Sequence, residues 1–376
     1  MKLIYLDNGA STRLDDQVID YMAEVMKSTA GNPSSTHQFG RTAKSLVEQS
    51  RKRIASALNC DSSEIIFTGS GSEADNLVLR NAVDNLGVKR IVSTKIEHAA
   101  VINTLKDLEV NSGIEIVYLD VDQKGEINLA QLEEVLNSSK VQTLVSLMYV
   151  NNEIGTILPI KRVGDLCQEY KSYFHTDAVQ AVGHLAIDLS EIHVDFLVGS
   201  AHKFHGPKGV GFAFFRKGSG IRSMITGGGQ EKGVRAGTEN VHSIAGMAEA
   251  LDLAIKNLES ESKHITEVKK YAIDSLKTFM PEIEFNANSD ALDDSAYHIL
   301  SVRFPGSAPM LLFSLDLNGI AVSGGSACQS GSNKGSHVLS EVLDSDAQNH
   351  TSIRVSFSKY NTKEDIDAFI DALKSI

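Results

Sequence analysis

Phe196-Leu197-Val198-Gly199-Ser200-Ala201-His202-Lys203-Phe204-His205-Gly206-Pro207-Lys208-Gly209-Val210-Gly211-Phe212-Ala213-Phe214-Phe215 is the stretch that decides the fold. Two apolar runs, 196–199 and 211–215, read as strands, and a segment of small residues and histidines between them presents Lys203. A lysine amine forms an imine with a carbonyl cofactor, and it reacts well near neutral pH only where its surroundings lower its pKa. The small neighbours of Lys203 leave room for a planar group to approach it.

Outward from this stretch the same pattern repeats. Residues 64–68, 89–93, 114–119, 143–148 and 173–177 are further short strand-like runs, with helical candidates between many of them. Alternation of this kind predicts an α/β fold, a mainly parallel sheet covered by helices, with its ligand site at the C-terminal ends of the strands. After about residue 245 the pattern changes. Two helices are expected over 244–258 and 263–279, then strands over 296–304, 321–323 and 351–356, and a last helix over 363–374. This predicts a smaller α+β C-terminal domain. The expected organisation is an N-terminal segment 1–15 packed with the small domain, a large cofactor-binding domain 16–250, and a small domain 251–376 carrying the loop around Cys328. No internal repeat or low-complexity segment interrupts it.

Composition narrows the function. The chain's 376 residues suffice for a large core, and 42% hydrophobic with 22% charged residues is ordinary for a globular enzyme. A formal charge of -12 argues against nucleic acid as a main ligand. The three cysteines, Cys60, Cys167 and Cys328, are odd in number and too sparse for a disulfide framework, which points to a reducing compartment. The start, Met1-Lys2-Leu3-Ile4-Tyr5-Leu6-Asp7, lacks the apolar core of a signal peptide, and no apolar run is long enough to cross a bilayer. The expected location is cytoplasmic, with no membrane partner.

Two further segments carry polar chemistry just after predicted strands. Thr68-Gly69-Ser70-Gly71-Ser72-Glu73-Ala74-Asp75-Asn76 opens a helix with glycines and hydroxyls suited to a phosphate, although Gly and Ser also simply make turns and caps. It is neither a nucleotide-binding loop ending in Gly-Lys-Ser/Thr nor a good dinucleotide fingerprint. In His175-Thr176-Asp177-Ala178-Val179-Gln180, the carboxylate of Asp177 suits either a cofactor's pyridinium nitrogen or a helix N-cap. Ser326-Ala327-Cys328-Gln329-Ser330-Gly331 offers a thiol in a small-residue loop. Cys167, at helical spacing, reads as a buried small hydrophobe, and Cys60 follows a helix end. His175, His202 and His205 make no recognisable metal-ligand cluster with the cysteines.

Taken together with Tyr5-Leu6-Asp7-Asn8, Gly31-Asn32-Pro33-Ser34-Ser35, Val150-Asn151-Asn152-Glu153-Ile154-Gly155, Arg235-Ala236-Gly237-Thr238 and Ser352-Ile353-Arg354, these segments closely resemble the pyridoxal-phosphate-dependent cysteine desulfurases of the NifS/IscS kind. These are fold-type I enzymes of the aminotransferase class V group. The resemblance implies that Lys203 carries pyridoxal 5'-phosphate as a Schiff base and that His98 stacks on its ring and moves protons. It implies that Asp177 meets the pyridine nitrogen and Gln180 the ring hydroxyl. Gly71, Ser72, Ser200 and His202 would hold the phosphate, with Thr238 reaching in from the second subunit of a homodimer. Arg354 and Asn152 would bind the substrate L-cysteine, the guanidinium by paired hydrogen bonds to its carboxylate. Cys328 would take the sulfur as a persulfide and pass it to an acceptor such as an iron-sulfur scaffold protein, with a transient iron-sulfur contact as its one expected metal link.

Three departures and three alternatives accompany the resemblance. Gln329 follows the cysteine where the family commonly has Thr or a small residue, Gln230 stands where His is common, and the chain stops at Ile376 without the longer tail of housekeeping members. A selenocysteine lyase would use the same residues. A non-catalytic sulfur carrier or assembly scaffold would not need Lys203, Asp177, His98 and Arg354 together, and an ordinary aminotransferase would not need Cys328.

Overall fold

A computed structural model describes residues 3–138, 140–324 and 335–376. In chain order the principal elements are β1 (Ile4–Tyr5), α1 (Asp16–Ser28), α2 (Gln38–Ala57), β2 (Ile65–Thr68), α3 (Gly71–Asp84), β3 (Arg90–Thr94), α4 (Ala99–Ser112), β4 (Glu115–Leu119), α5 (Leu129–Asn137), β5 (Thr143–Ser146), α6 (Ile160–Glu169), β6 (Tyr173–Asp177), β7 (Phe196–Ser200) and β8 (Gly211–Phe215). Then follow α7 (Val241–Phe279), β9 (Glu284–Phe285), β10 (Ile299–Arg303), α8 (Leu311–Leu317), β11 (Ile320–Ala321), α9 (His337–Val342), β12 (Ser352–Ser356) and α10 (Lys363–Ser375). The predicted Cys328 loop lies outside the described residues.

Strands β2 to β8 form one sheet in the order β2-β8-β7-β6-β5-β3-β4. Strands β7, β6, β5, β3 and β4 run parallel to one another, and β8 is antiparallel to both β7 and β2. This is the expected α/β architecture. The strands β2, β3, β5, β7 and β8 are buried at every position, as a sheet covered on both faces requires. Helices α3 and α4 pack Val78, Leu79, Val101 and Leu105 on one face, and α2, α6 and the first half of α7 pack Val47, Ile54, Val163 and Met247 on the other. Where Lys203 leaves the sheet, two glycines allow strands β7 and β8 to come together. A Cβ on Gly199 would stand 2.4 Å from the Phe212 ring, and one on Gly211 would stand 2.7 Å from the Gly199 carbonyl oxygen.

The C-terminal elements build a second, three-stranded sheet, β12-β10-β9, over its own core of Leu300, Val302, Ile353, Val355, Ile366 and Phe369. Strand β1 pairs in parallel with β11, so the N-terminal segment runs alongside this unit. The sequence predicted two helices over 244–279, but α7 is continuous for 39 residues. The polar run Glu259-Ser260-Glu261-Ser262 contains no glycine or proline, and Ser260 and Ser262 turn their hydroxyls back to the carbonyls of Asn257 and Glu259. Polarity there marks solvent exposure rather than a break. Helix α7 therefore spans both cores, with Met247 and Leu251 in the first and Val268, Ala272 and Leu276 in the second, and the boundary expected at 250/251 falls inside it.

Candidate active site

The ends of the parallel strands deliver side chains to one place. Strand β2 leads through Ser70 into α3, β3 through Glu97 to His98, β5 to Met148 and Asn152, β6 to Asp177 and Gln180, and β7 to Ser200, His202 and Lys203. Together with Arg354 from β12 and Gly9 and Ala10 from the N-terminal segment, they line a single cavity. This position outside the carboxyl ends of the strands is where open α/β sheets hold ligands.

Lys203 ends a single 3-10 turn after β7. Its Nζ donates to the carbonyls of Gly9 and Ala10 at 2.6 and 2.9 Å, and Gln180 Nε2 donates to the same Gly9 carbonyl at 2.9 Å. The backbone behind it is also held. His184 Nε2 lies 2.9 Å from the Lys203 carbonyl oxygen and its Nδ1 3.2 Å from the Tyr297 hydroxyl. Because burial pushes the His184 pKa down to about 4, its ring is neutral at pH 7, donating from one nitrogen and accepting at the other.

One end of the cavity is built for an anion. Ser70 caps α3, accepting from the Glu73 N–H, which leaves the first-turn amides of Gly71 and Ser72 facing the cavity. Only glycine fits at 71, since a Cβ would lie 2.9 Å from Val179 Cγ2. His202, with Nδ1 3.3 Å from Ser11 Oγ, has its pKa pushed down to about 4, by burial first and then by Lys203 and Lys208. It offers a neutral N–H rather than a charge.

The opposite end is acidic. Asp177 is 5% exposed and accepts from the Val179 N–H at 2.9 Å, and the side-chain polar atoms of Asp177, Asp75 and His98 lie within 4.8 Å of one another. His98 caps α4, its Nδ1 accepting from the Ala100 N–H at 3.2 Å. On the third side, Arg354 is 2% exposed, donating from Nη1 to the Asn152 carbonyl and from Nη2 to Asp7 Oδ1, each at 2.8 Å, while its Nε has no partner. A helix N-terminus suited to an anion, a buried carboxylate, a lysine and a buried arginine with a donor to spare line one cavity and fit pyridoxal phosphate and an amino-acid substrate.

The predicted residues Gly71, Ser72, His98, Asn152, Asp177, Gln180, Ser200, His202, Lys203 and Arg354 are thus brought to one cavity. Thr238 is not among them. It lies exposed beside a neighbouring cavity lined by Thr68, Gly69 and Arg235. Cys328 lies outside the described residues. Cys167 is fully buried in the core, as its helical spacing suggested. Asp75, His184 and the Gly9 carbonyl were not singled out from the sequence. Asp75 did leave a signal, as an acid on the apolar stripe Gly71, Ala74, Val78 and Ala82 of a helix, but the partners of His184 and Gly9 are purely tertiary.

Fold and site define a fold-type I pyridoxal-phosphate enzyme scaffold. The chain belongs to the aminotransferase class-V family, whose model matches residues 4–369. It is 40% identical to the cysteine desulfurase IscS of Dictyoglomus turgidum over 99% of this chain and 94% of that relative. Among solved structures it is similar to a NifS-like protein, with a TM-score of 0.89 and 35% identity covering 100% of this chain and 99% of the other. It is also similar to SspA in complex with cysteine, with a TM-score of 0.81 and 33% identity covering 96% and 100%.

Proposed function

We propose that this chain is a cysteine desulfurase that binds pyridoxal 5'-phosphate and converts L-cysteine to L-alanine, leaving the sulfur as a persulfide on Cys328. The observation that carries the reading is the gathering of Lys203, Asp177, His98 and Arg354 around one cavity whose far end is the N-terminus of α3. The cysteine-bound relative and the desulfurase relatives support the same substrate.

Bound in the cavity, the cofactor would supply an electron sink conjugated to the substrate's Cα. The chain's own residues do the rest. Gly71, Ser72, Ser200 and His202 would hold the phosphate, Asp177 would accept a hydrogen bond from the pyridine nitrogen, and Gln180 would meet the ring hydroxyl. Arg354, already fixed by Asp7 and Asn152, turns its unpartnered Nε and an Nη to the substrate carboxylate, with Asn152 beside it. Lys203 would hold the cofactor and, as a free amine, would move the proton at the substrate's Cα, with His98 as a second proton carrier beside the ring. The Cys328 thiolate attacks the substrate sulfur. An S–S bond forms as the C–S bond breaks, the carbon takes a proton, and L-cysteine plus thiol becomes L-alanine plus persulfide.

Residues 16–250 would act as the cofactor-binding domain, with 1–15 and 251–376 as the smaller unit. The exposed position of Thr238, beside Glu73 and Arg235 near the α3 terminus, suits a homodimer in which Thr238 of the partner subunit completes the phosphate site. An acceptor such as an iron-sulfur scaffold protein would then remove the persulfide sulfur in the cytoplasm. Among the described residues no helix is long and apolar enough to cross a membrane.

The test is alanine production from L-cysteine by the wild type and Lys203→Ala after incubation with pyridoxal phosphate. Wild-type alanine, with none from the variant, supports the reading. A wild type that binds the cofactor and leaves L-cysteine unchanged refutes it.

A further inference from the structure

Asp75 is 1% exposed, one turn into α3, and lines the cavity. No hydrogen bond reaches its Oδ1, and none reaches His175 Nε2, which stands 3.4 Å away. A carboxylate in such a place needs a cation or several donors. It has neither. The titratable groups facing it are Asp177 and His175 on β6 and Glu97 and His98 ahead of α4, with Lys203 beyond them across the cavity. Burial pushes the His175 pKa down to about 3, so its ring is neutral and brings no positive charge.

We propose that Asp75 is a neutral carboxylic acid that donates its proton to Asp177, so that the pair holds one negative charge, on the oxygen set that meets the pyridine nitrogen. Hydrogen-bond directions along the row agree. His175 Nδ1 lies 2.9 Å from Ser146 Oγ. With the Ser146 hydroxyl donating there, His175 carries its proton on Nε2, the nitrogen that stands 3.4 Å from Asp75 Oδ1. The second oxygen of Asp75 then bears the acid proton, and Asp177, with a polar atom within 4.8 Å, is the carboxylate placed to take it. Two buried carboxyls this close cannot both ionise, and of the two only Asp177 receives a backbone N–H, from Val179. Desolvation first, then Asp177 and Glu97, raises the Asp75 pKa well above its usual value, in keeping with this assignment.

Asp75 is on this account a positioning residue that acts through Asp177. It gives Asp177 a donor in a buried site, and Asp177 in turn would hold the cofactor's pyridine nitrogen. The inference rests on the proposal that the cavity holds pyridoxal phosphate.

Two variants and two readouts test it. Asp75→Asn retains a donor toward Asp177 without charge, and Asp75→Leu retains the volume without a donor. The pH midpoint of the bound cofactor's visible absorbance should stay at the wild-type value in Asp75→Asn. In Asp75→Leu it should move by about one pH unit, with cofactor retention about tenfold weaker. A shift in Asp75→Asn as large as in Asp75→Leu, or no shift in either, overturns the proposal. The infrared difference between wild type and Asp75→Asn, recorded without cofactor near neutral pH, should show one protonated carboxyl stretch in the wild type alone. Its absence overturns the proposal even if Asp75→Leu does not fold. Failure of the wild type to take up cofactor would instead defeat the reading of the cavity, which the infrared measurement does not use.

Discussion

Replacing Arg354 with lysine keeps a positive charge in the pocket and removes the fork. In the wild type the guanidinium spends Nη1 on the Asn152 carbonyl and Nη2 on Asp7, and keeps Nε free of partners at 2% exposure. A lysine ammonium has three donors on one atom. It can reach the same two acceptors, but it has no parallel pair of N–H groups to set against a carboxylate. The substrate should therefore lose one charge-assisted hydrogen bond, about 1.5–3 kcal/mol, or roughly 10- to 150-fold in kcat/KM. Because the carboxylate is held equally before and during reaction, most of the loss should fall on KM. Initial rates of alanine formation across L-cysteine concentrations measure it. The visible spectrum of the bound cofactor should be unchanged, since Arg354 is assigned to the substrate. An unchanged KM, or a loss confined to cofactor binding, would refute the placement of Arg354.

Other consequences are more direct. Glu231 is buried and accepts from Arg51 Nη1 and Nη2 at 2.7 and 2.8 Å and from the Phe67 N–H at 2.8 Å. Glu231→Ala removes the buried partner of Arg51, leaving it the exposed Glu48 and the Ile65 carbonyl, and should cost about 3 kcal/mol in urea unfolding, whereas Arg13→Ala, which breaks an exposed pair with Asp16, should cost under about 1 kcal/mol. The folded-state pKa values of His175, His184, His202, His205 and His298 are all depressed, to about 3 or 4 for the first four. Their contribution to stability is full above the unfolded value of about 6.5 and is lost as pH falls toward about 4. Glu97, Asp75, Asp195 and Glu261, with raised pKa values, act in the opposite direction but are fewer than the five histidines, which the lowered Asp15 joins, so Tm should fall between about pH 6.5 and 4. Burial pushes the Cys60 thiol up to about 12 and Cys167 higher still. Cys60→Ala and Cys167→Ala should therefore keep the wild-type yield of alanine and persulfide, measured side by side with Cys328→Ala.

Most of the strands were legible because a sheet covered on both faces turns its inner strands into short runs rich in apolar residues. Residues 173–177 and 211–215 were read with the bounds that β6 and β8 have in the structure. Helix α7 was misread as two helices because its polar middle faces water between two cores, and polarity alone does not distinguish an exposed turn from an end. The lining of the candidate cavity was legible where residues stand at or just after strand ends, as His202, Lys203 and Asp177 do. It was legible at His98 and Arg354 only through resemblance to a family. Contacts across the chain were not legible at all. Lys203 meets Gly9 across 194 positions and Arg354 meets Asp7 across 347, and nothing local to either residue announces its partner. Asp75 lay in a segment already suspected of chemistry, but an acid beside Ser72 and Glu73 at a helix start resembles an ordinary first-turn carboxylate until its burial is known.

The central claim is that sulfur from L-cysteine moves to Cys328, and peptide mass spectrometry of the protein after a short incubation with L-cysteine and a thiol-blocking reagent tests it most directly. The peptide containing Cys328 should gain the mass of one sulfur atom, in step with alanine release, and peptides containing Cys60 or Cys167 should not. Alanine release without added sulfur on Cys328, or persistence of alanine release in Cys328→Ser, would contradict the account.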